Sequence, residues 1–131
     1  MSAFFDTNIL IYSLEGDQVR SRIAGDVVAS GGWISVQVLN EVTNVLRRKL
    51  RREWAQVDVA LQVFRSTLNV IPLTSSIHVR GVALARRYDF AIYDAMIVAA
   101  AMEAECSRLY TEDMHHGLTV DDRLTILNPF V

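Results

Sequence analysis

Apolar and polar positions along the chain alternate between short apolar runs and longer stretches of helical period. Ser2–Phe5 is an apolar run that ends at Asp6-Thr7-Asn8, the pattern of a buried strand followed by a helix start. Ile9–Leu14 and Val19–Ala29 read as two helical pieces separated by a break at Gly16-Asp17. Gly31-Gly32 marks a turn before a second strand at Trp33–Val36. From Gln37 to about Arg52, Val38, Leu39, Val42, Val45, Leu46 and Leu50 recur at the helical period. A further helix is predicted over Ala55–Leu68. Asn69–Leu73 reads as a third strand, and Thr74-Ser75-Ser76 as the cap of a helix over Ile77–Tyr88 with Val79, Val82, Ala83 and Leu84 inward. Asp94–Glu105 is apolar almost all round, as a central buried helix is. Leu109–Thr111 and Leu124–Leu127 supply the fourth and fifth strands.

Strands alternating with helices predict right-handed crossovers and an α/β fold with a mostly parallel sheet covered on both faces. A length of 131 residues fits a single domain over 1–131, and an apolar share of 51% is ample for a core. Repeats, linkers and low-complexity segments are absent from the sequence. No apolar run approaches the roughly 20 residues needed to span a bilayer, so no membrane association is expected. The apolar N-terminus lacks a basic flank and is interrupted by Asp6, and the single cysteine, Cys106, cannot form an intrachain disulfide. Both features lead to the expectation of a cytoplasmic protein.

Net charge is −2, from 13 basic and 15 acidic residues, so bulk charge gives no support for nucleic-acid binding. The positions of the charges are more informative. Asp6 and Asp113 directly follow predicted strands, and ligands of open α/β sheets bind outside the carboxyl ends of strands. Asp94 opens the central apolar helix on a stripe shared with Ile97, Val98 and Ala101. Glu41 sits one turn into its helix, beside Val38, Val42 and Val45. Buried carboxylates protonate unless they are paired or bind a metal. The basic residues lie elsewhere in the sequence, so a hard divalent cation, magnesium or manganese, would resolve the conflict among four converging anions. Each acid taken alone also fits a plainer role: Asp6 and Asp94 as helix caps, Asp113 as a turn cap, Glu41 as a solvated residue.

FFDTNILIY at the N-terminus, Glu41 after a Ser-Val strand end, YDAMIVAAA at 93–101, LYTEDMHHG at 109–117 and the closing LTILNPF together resemble the PIN-domain nucleases. More specifically, they are similar to the VapC toxins of type II toxin–antitoxin pairs, over essentially the whole chain. The resemblance implies a three-layer α/β/α sandwich with a magnesium or manganese site. It carries the family's acidic positions onto Asp6, Glu41, Asp94 and Asp113, with Asn8 and Thr111 in supporting polar positions. Glu112 beside Asp113 is a local departure, and spacing from Thr111 favours Asp113. The resemblance further implies a VapB-type antitoxin partner, a homodimer, and an RNA substrate of transfer or ribosomal type. The expected reaction is hydrolysis of single-stranded RNA by activated water, leaving a 5′-phosphate and a 3′-hydroxyl.

Arg47-Arg48-Lys49-Leu50-Arg51-Arg52 places five cations in six residues. They read either as a solvated helix end favoured by the dipole or as a contact for RNA phosphate or for the antitoxin. His115-His116 invite a transition-metal reading but fit a surface turn better beside an all-oxygen site. His78 has no acidic partner near it in sequence, and Trp33 and Trp54 fit packing better than base stacking. Two non-catalytic readings compete: a receiver-like acidic pocket, and a PIN-like scaffold kept for protein binding. A receiver would want an Asp ending strand three and a Lys on strand five, and neither is present.

Overall fold

The computed structural model describes residues 2–131; Met1, the first residue of the apolar N-terminal segment and of the 1–131 domain reading, lies outside the described residues. In chain order the elements are β1 (Ala3–Phe5), α1 (Thr7–Leu14), α2 (Gln18–Ala29), β2 (Trp33–Ser35), α3 (Val36–Asn44), α4 (Trp54–Thr67), β3 (Asn69–Ile71), α5 (Ser75–Tyr88), α6 (Ile92–Glu103), β4 (Arg108–Tyr110), β5 (Thr119–Val120) and β6 (Leu124–Leu127), with a π-helical turn over Val45–Lys49. The sheet order is β3-β2-β1-β4-β6-β5, parallel throughout except for β5 against β6. A receiver-like order of 2-1-3-4-5 is therefore excluded.

The connectivity places the helices. From β1 the chain steps outward in one direction through β2 to β3, then returns past β1 to β4. Right-handed crossovers put α1 to α4 on one face of the sheet and α5 and α6 on the other. The packing agrees: α1 lies against α2 and α3, and α5 against α6. Strand order reverses between β1 and β4, and the crevice of an open α/β sheet forms at the carboxyl ends of such a pair. Asp6 follows β1 and Thr111 follows β4, so both stand at that point.

α6 explains its own composition. Every residue from Ala95 to Met102 is buried, because the helix lies between the sheet and α5. The close approach to α5 occurs at Gly81, where a β-carbon would stand 2.7 Å from the Met96 thioether.

Several boundaries differ from the sequence reading. The strands are shorter than predicted, because Val36 already begins α3 and the third strand stops at Ile71, before Pro72. A sixth strand, β5, was not predicted: two residues are too few for an alternation to register, and its pairing comes from a return turn in which Asp121 and Asp122 adopt positive φ. The helix expected to run to Arg52 leaves α geometry at Val45, and the Leu50 N–H donates to the Val45 carbonyl at 3.0 Å, five residues back. In α5 the buried stripe is Ile77, Gly81 and Leu84, whereas Val79 is 68% exposed and Ala83 also faces outward.

Candidate active site

The first layer of the site is built by β1 and β4. The Asp6 N–H donates to the Tyr110 carbonyl at 3.0 Å, extending the strand pairing by one residue. Asp6 is then extended backbone (ψ 162°) and caps α1, its Oδ1 accepting from the Thr7 N–H at 2.7 Å. Its other oxygen accepts from the fully buried Thr111 hydroxyl at 2.8 Å. Thr111 Oγ1 in turn accepts the Asp113 N–H at 3.2 Å, shaping the turn after β4. Asn8 closes the arrangement. Its Oδ1 accepts the Glu112 N–H at 3.1 Å, which leaves its Nδ2 to donate to Asp113 Oδ2 at 3.0 Å.

Glu41 arrives from α3. One oxygen accepts from the Thr7 hydroxyl at 2.5 Å and the other from Gln37 Nε2 at 3.1 Å. Gln37 is itself buried and also donates to the Tyr93 carbonyl at 3.1 Å, joining α3 to the head of α6. Sequence reasoning missed Thr7 and Gln37. The signal for Gln37 was its place one helical turn before Glu41, a spacing that puts both side chains on one face. Asp94 is the third residue of α6, whose cap position is Ala91, so it heads the helix without capping it.

Asp6, Glu41, Asp94 and Asp113 all line one cavity of about 900 Å³. Burial, the larger influence, together with the neighbouring Glu41 and Asp94 charges, pushes Asp6 up to about 6 despite the Thr111 and Thr7 hydrogen bonds that oppose the shift. Asp94 is also raised, by burial first and then by Asp113 and Glu41. Among the described residues no ion pair reaches any of the four. Hydroxyl and amide donors orient Asp6, Glu41 and Asp113 without neutralising them.

Glu112 also lines this cavity but is held by other partners. Its Oε1 accepts from the Tyr12 hydroxyl at 2.9 Å, and Arg20 Nε stands 3.6 Å from Oε2. Asp113 is the residue of the two that Asn8 turns toward Asp6 and whose charge reaches Asp94.

A PIN-domain family model matches residues 3–117, nearly the whole chain. The chain belongs to the PIN-domain family. It is similar to a solved toxin–antitoxin complex from Klebsiella pneumoniae, at 30% identity and TM-score 0.73 over 98% of each chain. It also resembles VapC20, a sarcin–ricin-loop-cleaving toxin from Mycobacterium tuberculosis, at 22% identity and TM-score 0.68 over 86% of this chain and 90% of that one. A DNA-bound VapBC complex from Salmonella typhimurium matches at 20% identity and TM-score 0.67 over 96% of each chain. At these identities the last two bear on the fold. No curated protein sequence matches.

The PIN-domain site meets the chemistry of a hard divalent cation in its donor set: all oxygen, partly buried, and carrying anionic charge that no ion pair among the described residues neutralises. Among the described residues no three acidic, histidine or cysteine side chains stand close enough together to hold a metal ion as they are placed. The histidines stay outside. His116 Nδ1 accepts the Asn128 N–H at 2.8 Å, and His115 and His78 are exposed.

The cationic run does not act as one patch. Arg47 lies 4.6 Å from the Trp54 ring centroid and donates to the Arg52 carbonyl at 2.9 Å, while Arg52 pairs with Glu15. Arg48 lines a separate hollow with Arg47 and Trp54, and Arg51 is exposed at positive φ. Lys49 alone of the five lines the acidic cavity. The basic residues lie apart from the four acids in sequence, and the fold nevertheless brings Lys49 to the lining of their cavity. In a regular α-helix Lys49 would be rotated about 80° past Glu41, and the wider turn at Val45–Lys49 takes back part of that rotation.

Proposed function

We propose that the chain is the toxin of a type II toxin–antitoxin pair, a VapC-type endoribonuclease that hydrolyses single-stranded RNA with magnesium or manganese held by Asp6, Glu41, Asp94 and Asp113. The observation that carries this reading is a buried Asp6, pushed up to about 6, sharing one cavity with Glu41, Asp94 and Asp113, none of which forms an ion pair among the described residues. Evolution rarely retains such a cluster for stability, since separating or neutralising the charges would stabilise the fold. The toxin–antitoxin relative at 30% identity and the sarcin–ricin-loop-cleaving VapC20 support the toxin and RNA parts of the reading.

When bound, such a cation supplies Lewis-acid polarisation of the phosphate and neutralises its developing charge. Asp6 and Asp94, ionised above their raised pKa values, are the ligands that burial makes most dependent on a cation. Asn8 and Thr111 fix the directions of Asp113 and Asp6, and Thr7 and Gln37 fix Glu41. No side-chain nucleophile is required: water attacks the phosphodiester in line, leaving a 5′-phosphate and a 3′-hydroxyl. Lys49 holds a phosphate of the bound strand, and Arg48 and Arg51, which unlike Arg47 and Arg52 are engaged by no ion pair or ring among the described residues, are available to RNA or to a VapB-type antitoxin. On the same reading the protein works in the cytoplasm as a homodimer; no helix among the described residues is long and apolar enough to cross a membrane.

Incubation of the purified protein with mixed RNA and magnesium tests the proposal. Wild type is expected to generate 5′-phosphate ends and Asp94→Asn to generate none while remaining folded. Undiminished cleavage by Asp94→Asn would sink the assignment.

A further inference from the structure

The four tyrosines of the chain divide sharply by what they touch. Tyr12 donates to Glu112 and packs edge-on against Phe130. Tyr88 binds Asp121 and stacks on Phe90, and Tyr110 stacks on Phe5 beneath the Arg108 guanidinium. Each of these side chains is committed to holding the fold. Tyr93 is 70% exposed, with no hydrogen-bond or aromatic partner for its side chain among the described residues, and it lines the acidic cavity immediately before Asp94. A lone exposed aromatic is ordinary on a protein surface, so it is the place of this ring in the lining of the acidic cavity that makes it available to stack on a ligand.

Its backbone is held firmly although its ring is free. Gln37 donates at once to Glu41 and to the Tyr93 carbonyl, each at 3.1 Å, so the position of Tyr93 is tied to that of a site carboxylate. Leu73, 48% exposed, lines the same cavity and adds an apolar surface, while Lys49 lines it as a cation. An apolar ring and a cation around one opening are complementary to a nucleotide strand, whose bases stack on aromatics and whose phosphates seek cations. A protein segment would satisfy the apolar surface without giving Lys49 a phosphate.

We propose that Tyr93 is a base-stacking platform: it takes the base of an unpaired nucleotide flanking the scissile phosphate, while Lys49 holds a phosphate of the same strand. The inference rests on the RNA-cleaving reading above and adds a requirement for that nucleotide to be unstacked from its neighbours. A base inside a duplex cannot reach the ring, so the cavity selects loops and single strands.

The test uses the full chain, magnesium and a single-stranded RNA oligonucleotide spanning a mapped cleavage site. Tyr93→Leu, which keeps an apolar rim, is expected to raise KM roughly tenfold with kcat little changed, and Tyr93→Phe to stay within about twofold of wild type. Abasic substitution at each nucleotide flanking the cut then locates the stacked base. One position should raise KM for wild type by a similar factor and have no further effect on Tyr93→Leu. A wild-type KM for Tyr93→Leu, or abasic sensitivity that persists in that variant, overturns the platform while leaving the nuclease reading intact. Should Tyr93→Leu instead weaken only the hold of a protein partner, the ring is a partner contact and the platform is also overturned. Absence of cleavage by wild type overturns the nuclease reading first, and the platform with it.

Discussion

The Thr111 hydroxyl donates to Asp6 Oδ2 at 2.8 Å across 105 residues of sequence, in a spot where Thr111 has no exposed surface. The same oxygen accepts the Asp113 N–H, so one buried hydroxyl orients an acid at the end of β1 and shapes the turn that carries another. Neighbouring groups of this kind commonly matter to metal affinity or activity by about 10- to 100-fold.

Thr111→Val keeps the shape and removes both hydrogen bonds. The hydroxyl lowers the Asp6 pKa, so its loss drives Asp6 further up. Magnesium-dependent kcat/KM is expected to fall by about 10- to 100-fold at pH 7, with the loss partly recovered at higher pH. Stability should fall by roughly 1 kcal/mol. A pH profile superimposable on that of wild type would show that Thr111 does not act through Asp6.

Metal-free protein should be more stable in mild acid than the usual optimum near neutrality suggests. Asp6 is raised in the fold from 3.8 to about 6, so between these values the folded state holds more protons than the unfolded chain. Its contribution is favourable below 3.8 and is lost as pH rises through about 6, a change of about 3 kcal/mol for this group. Asp6→Asn removes the penalty and is expected to raise the metal-free melting temperature at pH 7 while abolishing cleavage. A lower melting temperature for Asp6→Asn in the chelator-treated state would contradict this electrostatic picture.

Lys49 and Arg47 lie two residues apart and should behave differently. Lys49→Gln is expected to weaken RNA binding by an Asp94→Asn background and to reduce the salt dependence, log K against log salt, by roughly 0.7 to 1. Arg47→Gln loses its seat on Trp54 and its bond to the Arg52 carbonyl. It should cost about 1 kcal/mol of stability with the salt slope nearly unchanged. Equal slopes for both variants would mean that the run acts as one diffuse patch.

Gly32 occupies φ +156°, where an added β-carbon would stand 2.5 Å from the Ala3 carbonyl oxygen and 2.9 Å from the Phe5 ring. The obstructing oxygen is backbone at the start of β1, so it cannot turn aside. Gly32→Ala is expected to cost roughly 2 kcal/mol or more, read as a lower denaturation midpoint. Gly25→Ala, where a β-carbon meets nothing within 4 Å, serves as the contrast.

The sheet and its helices were legible because strand runs such as Ala3–Phe5 and the all-apolar α6 carry their burial in composition. Asp6 and Asp113 were placed by following strands, which is a local property. The π-turn was not legible: Val45, Leu46 and Leu50 satisfy an α period, and the departure is seen only in backbone hydrogen bonds. For that reason Lys49 was grouped with cations that the fold sends elsewhere. β5 escaped because its two residues pair through a turn set by Asp121 and Asp122. Gln37 and Thr7 escaped because a supporting polar residue is defined by what it touches, and Glu41 lies 34 residues from Thr7.

The central claim, that four carboxylates share a divalent cation, is tested most directly by calorimetric titration of manganese into metal-free protein at neutral pH. The expected result is saturable binding to wild type, weakened by at least tenfold in Asp6→Asn and in Asp94→Asn, with a corresponding rise in wild-type melting temperature. No saturable binding to wild type, or binding unaffected by both substitutions, would contradict it.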